Sequence, residues 1–291
     1  PPGFPPTPDP QRAPGRGRRA SPIRQFADWR ALFLFGGGLS ALLLPLIVIR
    51  LPESLDFVSR SGSSGADKMK RRLLERFNLL EPQHSMVEDL EQAAGSWRSC
   101  FTPPETRINT LLLWSCYLAL MFSFYFVVSW TPKLLVDAGL STSQGISAGA
   151  VLQAGGLAGA LVIGLLGSKY AVNKLAAWFF SLSVVTILAY GWADAELAAL
   201  MILSAMMGFF LIGAMIGLYT IGPALYDSKA RVTGVGLAIG VGRLGAIAAP
   251  FVGGVLIEAD LDLSLIYAAF ATPLVLAAFA VRSIKLPTSF R

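Results

Sequence analysis

Seven stretches of this chain are long enough to cross a lipid bilayer and almost free of charge. The windows between consecutive charged residues are 31–49, 108–132, 138–168, 175–193, 197–226, 232–257 and 263–281. Arg243, in the sixth window, is the one charge inside them. A crossing needs about 20 apolar residues, because the hydrocarbon layer is roughly 30 Å thick and a helix rises about 1.5 Å per residue. The sequence therefore predicts an all-α transmembrane fold of seven helices.

Composition supports this interpretation. Only 14% of the residues are charged, whereas a soluble protein has about 25%. Two of the windows are longer than one crossing requires. Residues inside them indicate where the helices begin or end. We expect the third helix to begin near Ser143, and Gly222 and Pro223 to end the fifth, because proline lacks a backbone N–H.

The basic residues predict the orientation of these spans. If segment 50–107 is cytoplasmic, so are 169–174, 227–231 and the tail after 281, and these four hold sixteen Lys and Arg residues. The three opposite loops hold one Lys and six acidic residues. Cytoplasmic loops carry an excess of Lys and Arg. The sequence therefore predicts a multi-pass cell-membrane protein with a cytoplasmic C-terminus.

Several short motifs stand in order along the chain and at consistent spacing. They are Trp29–Gly37, Leu51–Ser54, Ser129–Leu135, Ala138–Ser141, Tyr226–Arg231, Thr233–Gly236, Gly240–Ala246 and Pro250. Together they resemble the major facilitator superfamily, and more specifically its aromatic acid:proton symporter branch, the 4-hydroxybenzoate transporter-like proteins. The resemblance covers about residues 29–285 and implies that these residues correspond to helices six to twelve.

The resemblance implies a division of the chain into five parts. These are a Pro/Arg-rich, disordered lead-in (1–28), a helix resembling helix six (29–51), a cytoplasmic linker (52–107), a six-helix C-terminal transporter bundle (108–283) and a cytoplasmic tail (284–291). Helices one to five of the family have no counterpart, and residues 1–30 carry six arginines that do not suit an outer segment. We therefore expect a truncated or mis-started carrier from a bacterial inner membrane.

The family's short cytoplasmic loop motif is altered in this chain. Gly164, Lys169 and Lys174 keep their type, but Ser168 stands where the family usually has an acid and Ala171 where it has a glycine. The resemblance therefore predicts a weakened charge latch in this loop.

Paired glycines predict close helix packing. Lipid gives little hydrophobic drive between helices, so spans associate through small residues that let backbones approach. Gly240–Gly245 also matches the G-x-G-x-x-G dinucleotide pattern, but it lies within a span instead of following a strand, so packing is the favoured interpretation. The three pairs with i,i+4 spacing are Gly155/Gly159, Gly213/Gly217 and Gly236/Gly240.

Arg243 is the leading candidate for a functional residue. A cation near the middle of the bilayer costs about 2.5 kcal/mol or more, and no Asp or Glu lies within the seven spans to neutralise it. Its planar guanidinium suits a substrate carboxylate or an acid of another helix bundle. The alternative is a structural hydrogen bond to carbonyl groups of an adjacent span.

Polar and aromatic residues within the spans are further candidates for substrate binding or gating. An aromatic wall with a few hydrogen-bonding groups suits a planar aromatic acid. Ordinary core packing is the alternative for each ring, whereas Gln153 is a stronger candidate because a buried amide needs partners. The candidates are Gln153, Tyr125 and Tyr219, with Tyr117 and Trp130 as weaker ones.

The residue pattern of the linker predicts an amphipathic helix that lies on the inner leaflet. Five cations between Lys68 and Arg76 surround Leu73, Leu74 and Phe77, which is typical of an amphipathic helix at anionic headgroups. Nucleic-acid binding is not expected, because nine acidic residues balance the nine basic ones in 50–107. His84 in this linker is expected to be solvated.

The favoured function is proton-coupled symport of a small aromatic carboxylate by alternating access, with the proton, the lipid bilayer and the missing half-bundle as partners. A carrier for a sugar or another organic acid is the nearest alternative. A membrane-embedded enzyme is the third hypothesis, and the acids in 258–262 are its only cluster. With two Cys and one His in the chain, we expect no catalytic residue, cofactor or metal site.

Overall fold

The computed structural model describes residues 29–50, 100–102, 104–137, 139–193, 196–226 and 230–286. All the regular structure within these ranges is helical. The predicted disordered lead-in, the amphipathic helix of the linker and His84 lie outside the described residues. The chain divides into two compact units, Pro1–Glu88 and Asp89–Arg291, and the first contributes one described helix.

Seven helices are described, and the predicted all-α transmembrane class is confirmed. They are α1 (Trp29–Arg50), α2 (Pro104–Asp137), α3 (Thr142–Gly167), α4 (Val172–Trp192), α5 (Leu197–Leu225), α6 (Arg231–Glu258) and α7 (Leu263–Ser283). Helices α2 to α7 are each long and apolar enough to cross a membrane. In α1, the apolar stretch with described side chains is shorter, Phe33–Ile47.

One predicted helix end is wrong and another is close. Helix α5 continues through Gly222 and Pro223 to Leu225. Proline is tolerated in membrane helices because neighbouring helices and local adjustments satisfy the freed backbone groups. Helix α3 begins one residue before the predicted Ser143, behind a capping box in which Ser141 and Gln144 satisfy each other's backbone N–H groups.

The six helices of the second unit pack mainly in three pairs, which are α3 with α5, α2 with α6 and α4 with α7. Glycine makes the first pair close. A Cβ atom on Gly155 or Gly159 would collide with the backbone carbonyls of Ala205 or Phe209, and one on Gly208 with the carbonyl of Leu152. The α3–α5 contact is therefore a backbone-to-backbone one.

The other predicted glycine pairs differ from each other. Gly213 lies against the ring of Phe179, and Gly217 lies 3.1 Å from both Ala176 and Ile163, measured from the position of an added Cβ. Gly236 and Gly240, in contrast, have no heavy atom within 4 Å of that position. Within the described bundle these two do not pack helices together, because their face of α6 is open.

The chain beyond α7 is fastened to the bundle. The Asn173 side-chain amide donates to the carbonyl of Ile284 at 3.1 Å. Asn109 exchanges two hydrogen bonds of 3.3 Å with the backbone N–H and carbonyl of Lys285. Ile284 and Leu286 are buried. These contacts fix the last described residues at the end of the bundle where α2 and α4 begin.

Candidate functional site

Arg243 lies in the middle of α6, and its side chain reaches α2. The guanidinium donates a hydrogen bond of 2.6 Å to the hydroxyl of Tyr125. Within the part of the chain that the structure describes, this hydroxyl is its only hydrogen-bond partner. Arg243 is exposed and Tyr125 half-buried. The cation therefore lies at the surface of the bundle with one neutral hydrogen-bond partner. Most of its N–H groups donate to no described residue.

Two glycines of α6 explain why Arg243 occupies this position. An added Cβ on Gly242 would be 3.2 Å from the side chain of Tyr117, and one on Gly245 would be 2.5 Å from the carbonyl of Leu118. Because these two residues have no side chain, α6 packs closely against α2, and Arg243 lies beside this contact. The G-x-G-x-x-G match thus lies inside a helix, and two of its three glycines, Gly242 and Gly245, pack against α2, whereas Gly240 faces open space.

Tyr219 joins the same region from α5. Its ring packs at a tilt on that of Tyr117, with centroids 6.0 Å apart and planes 37° apart. Tyr219 is 38% exposed, whereas Tyr117 is fully buried and its hydroxyl has no hydrogen-bond partner among the residues that the structure describes. Because Tyr117 also contacts Gly242, the aromatic pair lies next to the backbone that carries Arg243.

Gln153 is placed differently from the expectation. Its side chain is exposed in the described bundle, so the premise of a buried amide is wrong. It borders a small cavity of about 30 Å³ between α2 and α3, together with Val128, Thr131 and Pro132. That space holds about one water molecule. No described contact joins Gln153 to Arg243 or Tyr125.

Trp130 ties two helices together. Its indole N–H donates to the carbonyl of Pro250 in α6 at 3.1 Å, and its ring occupies the space beside Gly253. The ammonium of Lys133 lies 4.9 Å from the ring centroid. The residue therefore acts in the α2–α6 contact, and no described contact joins it to Arg243 or Tyr125.

The predicted loop motif between α3 and α4 is exposed. Gly164 has open space around it, and Lys169 and Lys174 extend from the surface. The Ser168 hydroxyl donates to the carbonyl of Leu165 at 2.7 Å, within the end of its own helix. A serine used in this way offers no charge to the two lysines, and the weakened charge latch stays a prediction.

Comparisons with known proteins identify the chain's relatives. The family model described as "Major Facilitator Superfamily" matches residues 23–193. A gallate transporter of Pseudomonas putida is 31% identical over 255 residues, and a 3-(3-hydroxy-phenyl)propionate transporter of Escherichia coli (strain K12) is 30% identical over 253. A 4-hydroxybenzoate transporter of Pseudomonas putida, PcaK, is 28% identical over 256.

These matches cover most of this chain but only part of each relative. They include 87% of the chain, against 56% of the gallate transporter, 55% of the hydroxyphenylpropionate transporter and 57% of the 4-hydroxybenzoate transporter. The chain thus spans little more than half the length of the curated relatives it matches. Beside these matches, the structure describes a six-helix unit in which Arg243 lies exposed on α6.

Proposed function

The chain belongs to the major facilitator superfamily, and from that premise we propose that it forms one bundle of a secondary carrier for small aromatic carboxylates. The named relatives carry gallate, 3-(3-hydroxy-phenyl)propionate and 4-hydroxybenzoate, all of which are aromatic acids. The resemblance to the aromatic acid:proton symporter branch agrees with these names.

The observation that carries the proposal is the hydrogen bond between Arg243 and Tyr125. A guanidinium has five N–H donors in a planar fork, and a carboxylate can accept two of them at once. The single bond to Tyr125 orients the fork and leaves it open toward the exposed side. A cation near the middle of a membrane is costly without a partner. An arriving carboxylate would supply the partner.

The aromatic part of the substrate has its own candidates. Tyr125 contacts Arg243 directly, and the partly exposed Tyr219 packs on Tyr117, which contacts the neighbouring Gly242. Ring faces and edges favour packing with another aromatic ring. We assign the carboxylate to Arg243 and the ring to Tyr125 and Tyr219. Gln153 is a weaker candidate, since it is exposed elsewhere on the bundle.

The open face of α6 supports the proposal of a second bundle. Carriers of this superfamily consist of two six-helix halves that rock about a site near the bilayer midplane. Gly236 and Gly240 lie on the open side of α6, where another helix could approach closely. We therefore propose that a half-bundle covering this face is needed for transport, and that the present chain alone does not complete a cycle.

Proton coupling is a further part of the proposal. The predicted spans hold no Asp, Glu or His, so the group that takes up the proton would belong to the other bundle. We also propose a bacterial inner-membrane location with a cytoplasmic C-terminus, supported by the excess of Lys and Arg in alternate loops.

Equilibrium binding tests the substrate assignment. The chain is reconstituted in lipid nanodiscs with labelled 4-hydroxybenzoate, and Arg243→Ala and Arg243→Lys are compared with Arg231→Ala, which removes another exposed arginine of α6. Loss of a charge-assisted hydrogen bond predicts binding weaker by roughly tenfold or more in Arg243→Ala, with Arg231→Ala unchanged. The neutral isostere 4-hydroxybenzamide should not compete. Equal binding by Arg243→Ala and the parent would reject the assignment.

Uptake assays test coupling and the alternatives. In vesicles carrying the complete two-bundle carrier, an inward proton gradient should drive benzoate uptake, and the chain alone should give none. Competition by a sugar or by cyclohexanecarboxylate, at the level of benzoate, would favour a carrier for other solutes. The relatives named above are transporters by name. Recovery of chemically altered ligand would instead support the hypothesis of a membrane-embedded enzyme.

A further inference from the structure

An apolar groove lies between α4 and α7, away from Arg243 and Tyr125. It has a volume of about 370 Å³, and its walls include Trp178 and Val184 of α4 and Val275 and Phe279 of α7. Trp178 and Phe279 are 64% and 69% exposed. Their rings therefore border a space that opens to the surroundings of the bundle, which in a membrane are lipid.

The groove ends at a basic cavity. Arg282, in the last turn of α7, lines the groove and also a second cavity of about 500 Å³. Lys174 and Lys285 line that second cavity with it. None of the described residues lining either cavity is acidic. One continuous surface thus presents a hydrocarbon-like slot followed by three cations.

The basic end is held in place by hydrogen bonds. Asn173 fixes the carbonyl of Ile284, and Asn109 fixes the backbone of Lys285 from both sides. Neither lysine nor the arginine has a described salt bridge that would occupy it. The three charges are therefore held near one another without a counter-ion among the described residues.

From this combination we propose that the groove binds one anionic phospholipid, with an acyl chain along Trp178 and Phe279 and the phosphate at Arg282. Basic pockets between membrane helices on the cytoplasmic side are suited to anionic headgroups. A soluble anion would leave the apolar walls unused, and a zwitterionic lipid would leave the net charge of three cations unmatched. The proposal does not depend on the substrate of the carrier.

Fluorescence quenching by brominated lipids tests the site, because α4 provides a matched pair of reporters. Trp178 lines the groove and Trp192 does not, although both are on α4 and are 64% and 66% exposed. The signal of each is the difference between the parent chain and Trp178→Phe or Trp192→Phe, in vesicles with brominated phosphatidylglycerol or brominated phosphatidylcholine.

We expect Trp178 to show an apparent preference for the anionic lipid of roughly fivefold per engaged cation, and Trp192 to be quenched equally by both lipids. Arg282→Gln should remove most of this preference, whereas Lys169→Gln, a cation outside both cavities, should preserve it. Phe279→Ala should weaken it, while Leu276→Ala, also exposed on α7 but outside the groove, should not.

Three results would overturn the proposal. Equal quenching of Trp178 by the two lipids would show that no headgroup is selected. An equal effect of Lys169→Gln and Arg282→Gln would show only general attraction to basic protein. Recovery of Trp178 fluorescence on addition of inorganic phosphate would identify a site for a soluble anion instead.

Discussion

Arg243 and Tyr125 are 118 positions apart in the sequence, and their side chains meet at 2.6 Å across the α2–α6 contact. The phenol hydroxyl accepts a hydrogen bond from the charged guanidinium, which makes it the group that orients the guanidinium. We predict that Tyr125→Phe weakens 4-hydroxybenzoate binding by roughly three- to tenfold, the usual effect of removing one such bond. Titration calorimetry on the reconstituted chain measures this.

Tyr170→Phe is the matched control, because Tyr170 is exposed in the loop between α3 and α4. It should bind like the parent. If Tyr125→Phe also binds like the parent while Arg243→Ala does not, the cation works without the orienting hydroxyl, and the role given to Tyr125 is wrong.

The glycines between α3 and α5 are predicted to be essential for stability. An alanine at Gly159 or Gly208 would place its methyl group against an opposing backbone carbonyl, which cannot move as a flexible side chain can. Overpacking of this kind costs about 1–3 kcal/mol. Gly159→Ala and Gly208→Ala should therefore unfold at lower temperature and at lower SDS fraction, as followed by circular dichroism.

Gly164→Ala provides the comparison within the same helix, since an added Cβ there meets nothing within 4 Å. Alanine is favoured over glycine in a helix by up to about 1 kcal/mol, so this variant should be as stable as the parent or more so. Equal destabilisation by Gly164→Ala and Gly159→Ala would contradict the close-packing explanation.

A substitution at Gly240 tests the stability of the bundle and its assembly with a second bundle independently. Because its surroundings are open, Gly240→Leu should leave the unfolding of the isolated chain almost unchanged. If the proposed second bundle covers this face, the same substitution should strongly reduce uptake by the complete carrier. Normal uptake together with normal stability would place the covering bundle elsewhere.

Much of this architecture could be predicted from the sequence because charge and hydrophobicity act along the chain. Windows without charge locate the helices within a few residues. Contacts between helices carry no such local signal. Gly208 contacts Leu152 as closely as Gly159 contacts Phe209, yet it is not part of an i,i+4 glycine pair, whereas Gly236 and Gly240 have the spacing and no contact.

The same limit applies to the candidate site. A lone arginine in a span is conspicuous in the sequence, but its pairing with Tyr125 depends on the register of α6 against α2, which no local pattern specifies. The need of an amide for partners predicts a buried Gln153. The structure instead exposes it beside a small cavity between α2 and α3, because the packing of helices, which sets burial, has no local signal in the sequence.

Ser123 forms a hydrogen-bonded link between α2 and α7. Its hydroxyl is buried and lies 2.6 Å from the carbonyl of Phe270 in α7 and 3.0 Å from that of Ala119 in its own helix. Interhelical bonds in membranes contribute about 0.6 to 1.7 kcal/mol. Ser123→Ala should therefore reduce the free energy of unfolding by about 1 kcal/mol, as measured by SDS titration.

Ser115→Ala is the matched control, because the exposed Ser115 hydroxyl donates to the carbonyl of Leu112 in its own helix. That variant should unfold like the parent. If both alanine variants lose the same stability, the α2–α7 link at Ser123 contributes nothing specific.

Asn109 is predicted to position Lys285 for the anionic lipid. Its amide pairs with both backbone groups of Lys285, so Asn109→Ala should free the segment that follows α7 without removing a charge. Hydrogen exchange of the Ile284–Leu286 amides should become faster, and the preference of Trp178 for brominated phosphatidylglycerol should fall, though less than in Arg282→Gln. Faster exchange with an unchanged lipid preference would show that the tail is fastened for stability alone and that Lys285 takes no part in headgroup binding.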